Sequence, residues 1–188
     1  MKISKFSTVS LLLIIALMVS GLFAKERYKA SSSPSLYKTA IASTGNFDGN
    51  RIRDDLENNG MIVSHRISGH SGLEWPKDAN IYAVYASGVW VAGKVGGQIR
   101  TAAAEYAPEN VAGPYGGDAN AARHKIYKIN KSDLADPLAH PDFGDWPVDL
   151  GAPWVDNDGD GIYNPLPNGP DHPEFIGDQV IWYVSNDG

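Results

Sequence analysis

Glycine and proline set the first constraint on the fold. The chain has 188 residues with 20 Gly and 12 Pro, and most of both lie beyond Gly45. Proline lacks a backbone donor and glycine is costly to order in a helix, so long helices are excluded there. Short strands joined by turns are expected instead. The expected fold is mostly β, a sandwich-like module with long Pro/Gly-rich loops. A hydrophobic fraction of 43% with 20% charged residues belongs to a chain that buries a core rather than a disordered one.

The amino terminus has a different character. Lys2 and Lys5 precede an apolar run over residues 9–19, centred on Leu11, Leu12, Leu13, Ile14 and Ile15. That run is too short to span a bilayer, which takes roughly 20 residues. Ala24 then stands before the polar Lys25-Glu26-Arg27. This is the form of a Sec-type signal peptide over residues 1–24, cut after Ala24 or within a few residues of it. The expectation is a bacterial protein that is secreted or held at the cell surface, with no membrane span once the signal is removed. Residues 25–44, around Ser31-Ser32-Ser33-Pro34, read as a flexible leader. Residues 45–188 form the β-rich module.

Charge and cysteine content exclude several functions. Loss of Lys2 and Lys5 takes the formal net charge from −6 to −8. An acidic chain without a basic stripe is unsuited to nucleic acid. The chain has no cysteine, which rules out disulfides, thiolate zinc sites, iron–sulfur clusters, a cysteine nucleophile and a lipoprotein anchor.

Strands are expected at Ile81-Tyr82-Ala83-Val84-Tyr85, Val89-Trp90-Val91-Ala92 and Gln98-Ile99-Arg100-Thr101-Ala102. Gly96-Gly97 between the last two reads as a hairpin turn. The run Ala102-Ala103-Ala104 has no N-cap before it and is taken to continue the strand. Further strands are expected at residues 125–129 and 179–184. Residues 51–58 are ambiguous: Ile52 and Leu56 have helical spacing, yet Asn58-Asn59-Gly60 suits a helix stop or a hairpin turn equally. Ser185-Asn186-Asp187-Gly188 reads as a turn that opens a further hairpin, so the module is expected to be incomplete at its C-terminus and to continue past Gly188.

The sharpest motif is Asp156-Asn157-Asp158-Gly159-Asp160-Gly161-Ile162-Tyr163-Asn164. Carboxylates at loop positions 1, 3 and 5 with glycine at 6 curl the backbone round a hard cation, and position 7 contributes a carbonyl. The expected calcium ligands are Asp156, Asp158, Asp160, the carbonyl of Ile162, and Asn164 through water. Position 12 is Pro167 where an EF-hand has glutamate, so a later carboxylate must close the shell. Asp171, Glu174 and Asp178 are the candidates, and Asp178 is favoured because it begins a strand. The calcium would be structural.

Other constellations are weaker. His65, His70, His124, His140 and His172 have no zinc spacing and read as surface loop residues. Gly69-His70-Ser71-Gly72 fails as a nucleophile elbow because Leu73 stands where glycine is required. Glu74, Glu105, Asp142 and Asp145 could supply a glycosidase pair only if they lie at the separation that chemistry needs. No catalytic constellation is recognisable. Glu74 adjoins Trp75 and Asp145 adjoins Trp146, an arrangement found in sugar sites but also in ordinary cores.

Trp75-Pro76, the segment Ala86-Ser87-Gly88-Val89-Trp90-Val91-Ala92-Gly93, Gln98-Ile99-Arg100, Ala103-Ala104-Glu105-Tyr106 and the stretch 156–178 together resemble the amino-terminal region of large exported bacterial surface proteins. These are proteins of the kind that end in a type IX secretion sorting domain, and this chain shows no such domain. The resemblance covers roughly residues 45–188 and implies a surface location and modular β structure, with no activity attached. The expected role is a structural or adhesive surface module stabilised by calcium, whose partner is an extracellular glycan or a surface protein. The alternative is a carbohydrate-binding or glycan-degrading module using Trp75, Trp90 or Trp146 as stacking platforms, or the non-catalytic part of a secreted hydrolase.

Overall fold

The computed structural model describes residues 43–65, 70–104 and 110–187, all within one compact unit, Thr39–Gly188. The signal peptide, nearly all of the leader, and Glu105 and Tyr106 lie outside the described residues. Strand is the dominant regular structure, and no helix among the described residues is long and apolar enough to cross a membrane.

The ambiguous segment 51–58 resolves as strand. β1 (Thr44–Phe47) and β2 (Arg53–Glu57) pair antiparallel from Thr44↔Glu57 to Phe47↔Asp54. The turn Asn58-Asn59-Gly60 follows, with Gly60 at φ 88 where a side chain would be strained. β3 (Met61–Ile62) then runs back along β2, with Leu56 opposite Ile62.

At Val63 the chain leaves the sheet, makes a short hairpin of β4 (Ser64–His65) and β5 (His70–Ser71), and returns as β6 (Leu73–Glu74). β6 continues along the same side of β2, with Asp54 opposite Leu73 and Arg53 opposite Glu74. The junction is closed by three backbone bonds: Val63 N–H to Asp55 O (2.7 Å), Asp55 N–H to Gly72 O (3.1 Å) and Gly72 N–H to Val63 O (2.7 Å). Val63 sits at φ 58, an outlier for a β-branched residue, at the point where the rail is broken. β7 (Tyr82–Val84) and β8 (Ser87–Gly88) pair with β6 and β3 respectively and form the outer rail of this six-stranded sheet.

β9 (Trp90–Val95) and β10 (Gln98–Ala103) form the expected hairpin, and the alanine run is strand as far as Ala103. Gly96 and Gly97 both take positive φ, 57 and 83, as a two-residue turn of the right twist requires. The ribbon projects: Trp90, Val91, Val95 and Ile99 are 65%, 60%, 66% and 80% exposed. Its base is fixed where Val89 N–H meets Gly60 O and Ala104 N–H meets Val89 O. Gly88 lies so close to Ala104 that a Cβ there would overlap the Ala104 carbonyl oxygen.

The remaining strands are paired two by two. β11 (Val111–Ala112) pairs with β16 (Ser185–Asn186), β12 (Tyr127–Asn130) with β15 (Gln179–Trp182), and β13 (Trp154–Val155) with β14 (His172–Pro173). Ser185 and Asn186, expected to open a turn, are therefore in a strand. The mostly-β fold is distributed over one six-stranded sheet and several two-stranded ones rather than two broad layers.

The proline-rich stretch after β12 folds into short helical turns, Lys131–Ala135, Pro137–Ala139, Pro141–Gly144 and Val148–Leu150. Pro137 and Pro141 occupy first-turn positions, where the missing N–H costs nothing. These turns wrap an aromatic core of Tyr127, Ile129, Phe143, Trp146 and Ala152, with Trp154, Tyr163 and Trp182 against it. Tyr127 and Trp146 meet edge to face at 6.0 Å. The Trp146 indole N–H donates to Pro153 O at 3.0 Å.

Two of the sequence readings change here. Trp146 is 3% exposed and cannot be a stacking platform. His124 is 6% exposed, its Nδ1 2.7 Å from Asp118 O and its carbonyl taken by the Asn58 amide, so it is a buried structural residue and not a surface histidine.

Candidate metal centre

The acidic loop is built on the β13–β14 pair. Val155 faces His172, so the next rung outward places Asp156 beside Asp171. Asp156, Asp158, Asp160 and Asp171 each offer a carboxylate oxygen, and these oxygens lie within 4.8 Å of one another. Four aspartates so grouped can hold a metal ion.

The loop backbone is shaped by its own carboxylates. Asp156 Oδ1 accepts from Gly159 N–H at 2.7 Å and Oδ2 from Gly161 N–H at 2.9 Å. Both glycines are left-handed, φ 77 and 75, the conformation that the curl requires and that alanine would resist. Asp158 Oδ1 accepts from Asp160 N–H at 3.3 Å, and Asp160 Oδ1 from Ile162 N–H at 2.7 Å. The Asn164 amide reaches back to Asp160 Oδ2 at 3.1 Å. Alternate carboxylates thus turn inward while the Ile162 side chain stays 65% exposed.

Asp171 differs from the other three. It is 2% exposed, and its two oxygens accept from Asn157 N–H (2.9 Å) and Asn164 N–H (3.0 Å). It sits under the loop, next to Tyr163, whose ring packs on Trp154 at 5.6 Å and whose hydroxyl donates to Phe143 O. Burial, reinforced by the Asp171 charge, pushes the Tyr163 phenol well up. The loop is therefore anchored to the aromatic core through its base.

Of the ligand set read from the sequence, Asp156, Asp158 and Asp160 come together, and Ile162 and Asn164 are part of the same curl. Asp178 does not join the group: its carbonyl accepts Lys131 N–H at 2.7 Å at the start of β15. Glu174 is also outside it, its backbone N–H bonded to Pro153 O. Asp171 fills the fourth place. The missing signal was the pairing of Val155 with His172, which has only two rungs and no periodicity to betray it.

Two of the four candidate glycosidase carboxylates, Glu74 and Asp142, have structural partners. Glu74, 4% exposed, accepts from Asn80 N–H at 2.7 Å and from Arg53 Nη1 at 3.1 Å. Asp142 holds Lys125 Nζ and the Lys128 N–H, while Asp145 is exposed. Glu105 and the side chains of His65 and His70 lie outside the described residues. Trp75 and Trp90 are exposed, 57% and 65%. No family model, curated protein or solved structure matches the chain, so the site's own geometry carries its interpretation.

Proposed function

We propose that the loop over residues 156–171 holds a structural calcium ion, and that the protein is a calcium-stabilised structural or adhesive module of an exported cell-surface protein. The observation that carries the metal reading is the convergence of Asp156, Asp158, Asp160 and Asp171 from two strand ends. An all-oxygen set of hard donors in a glycine-permitted curl suits calcium better than zinc or copper, which favour nitrogen and sulfur. Three exposed like charges in contact repel unless a cation joins them. The extracellular part of the reading rests on the signal-like amino terminus. Extracellular calcium would keep even a weak site of roughly 10⁻⁴–10⁻³ M filled.

Thermal unfolding in millimolar calcium and again in excess chelator tests it. At one hundred times its Kd the ion adds about 2.7 kcal/mol, and Asp158→Ala abolishes the difference between the buffers. Equal melting of the wild-type protein in both buffers would sink the proposal.

A second reading is favoured by Trp75 and Trp90, which present more than half of their surface to solvent. Such rings are platforms for sugar faces. Retention on insoluble polysaccharide that falls when either tryptophan is replaced by alanine would select this reading, and unaltered elution of all variants would remove it.

A further inference from the structure

Lys128 lies between Tyr127 and Ile129, both of which enter the aromatic core, so strand alternation sends its side chain to the opposite face of β12. There Nζ stands 2.6 Å from Asn46 Oδ1 and 2.6 Å from Asp48 Oδ1. Asn46 and Asp48 are two residues apart along β1 and its extension, and their side chains therefore project to one side. The contact joins segments 82 residues apart in sequence.

The arrangement is held on both sides. Gln179, 9% exposed, donates Nε2 to Asp48 Oδ1 at 2.9 Å and to Asn130 Oδ1 at 2.7 Å. Its Oε1 accepts from Asp48 N–H and Gly49 N–H. Asp48 thus has its backbone and its carboxylate fixed by one side chain. The bond from Lys128 is the one side-chain hydrogen bond of Asn46 among the described residues, so the Asn46 amide nitrogen is bonded to nothing there. The Asn46 carbonyl carbon lies one C=O length, about 1.23 Å, beyond Oδ1. That places it within about 3.8 Å of Nζ, close to the roughly 3–3.5 Å of a near-attack geometry.

We propose that Lys128 and Asn46 become joined by an intramolecular isopeptide bond, with Asp48 as the proton carrier. Asp48 takes a proton from the Lys128 ammonium. The freed Nζ lone pair attacks Cγ of Asn46, and the C=O electrons move onto Oδ1. Asp48 then delivers its proton to Nδ2. The C–N bond breaks as the carbonyl re-forms, and the nitrogen leaves. The second Nζ proton leaves with it, so an ammonium and a primary amide become a secondary amide and an ammonium ion, with no change of oxidation state. Lysine amines act in this way as nucleophiles once a neighbouring base removes the proton. The reaction occurs once per molecule and can be slow. Side chains of Lys128 and Asp48 are 27% and 29% exposed, which leaves a way out for ammonia.

Intact-mass spectrometry of the folded protein, fresh and after days at pH 8, reads the bond directly. The expected result is a loss of about 17 Da, one ammonia, and a branched peptide after digestion that contains both residue 46 and residue 128. Lys128→Arg keeps the ion pair and must show the full, unshifted mass. Asp48→Ala, checked for folding by circular dichroism, must stay unlinked. An unshifted mass after incubation leaves an ion pair only and overturns the proposal. So does a loss of about 18 Da, which marks an amide to Asp48 instead, or a 17 Da loss that survives in Lys128→Arg. None of these readouts depends on calcium.

Discussion

Asp171 Oδ2 accepts the backbone N–H of Asn164 at 3.0 Å, and this bond sets the far end of the acidic loop. Its other oxygen takes Asn157 N–H, so one buried side chain fixes both ends of the curl before any ion arrives. Asp171 holds two backbone N–H groups from a buried position, whereas Asp158, exposed on the rim, accepts one backbone N–H, that of Asp160, at a longer 3.3 Å.

The two aspartates should separate in chelator. Asp171→Ala leaves two N–H groups without their acceptors and is expected to cost about 3 kcal/mol in urea unfolding. Asp158→Ala, which removes one of several repelling charges, should be within about 0.5 kcal/mol of wild type in the same buffer. An equal loss in both variants would show that Asp171 is not the base of the loop.

Asp54 should make stability fall with rising pH. Burial, with the neighbouring Asp55 charge adding to it, raises its carboxyl from 3.8 to about 6, and its Oδ1 is buried without a hydrogen-bond partner. The folded state therefore binds the proton more tightly than the unfolded chain. The favourable contribution is complete below 3.8 and is lost as pH rises through about 6. Asp54→Asn is expected to gain about 1 kcal/mol at pH 7.5 and nothing at pH 4, after allowance for partial solvent screening. Parallel denaturation curves at the two pH values decide it, and a gain of the same size at both would refute the assignment.

The two tryptophans that sequence alone could not tell apart should behave oppositely. Trp146→Ala removes a buried ring and orphans the Pro153 carbonyl, and is expected to cost about 3–5 kcal/mol. Trp90→Ala, on the exposed ribbon, should change stability by less than about 0.5 kcal/mol. Thermal melts of the two variants side by side give the comparison.

Gly88→Ala tests the base of the ribbon. A methyl group there would overlap the Ala104 carbonyl oxygen, so β8 and the end of β10 must separate. The expected cost is at least about 2 kcal/mol, with loss of hydrogen-exchange protection at Val89 and Ala104. A variant that melts as wild type would mean that the close approach does not exist.

Some of this was legible in the sequence for plain reasons. Gly96-Gly97 between β-branched runs could serve little else than a two-residue turn. Asp156, Asp158 and Asp160 are close in sequence, so their spacing carried their geometry. What escaped depends on contacts distant along the chain. Asp171 was one of three candidate closing carboxylates, and what singles it out over Asp178 is two rungs of strand too short to have a period. Leu56 with helical spacing to Ile52 belongs to a strand because Thr44–Phe47 and Met61–Ile62 pair on either side of it. The burial of His124 comes from Gly113, whose missing side chain leaves room for the imidazole.

The bond from Gly72 N–H to Val63 O has a consequence for how this chain can change over time. The rail that stops at Val63 resumes at Leu73 on the next rung, so the residues between are a parenthesis in the sheet. Their number is of no account to either neighbour. Ser71 is the exception, buried and bonded through its hydroxyl to Val84 O and Leu73 N–H, so segments of other lengths and compositions can be spliced between Val63 and Ser71 while β2, β3 and β6 keep their register. The break makes the six-stranded sheet a mount on which a new surface loop can be installed without redesigning what holds it.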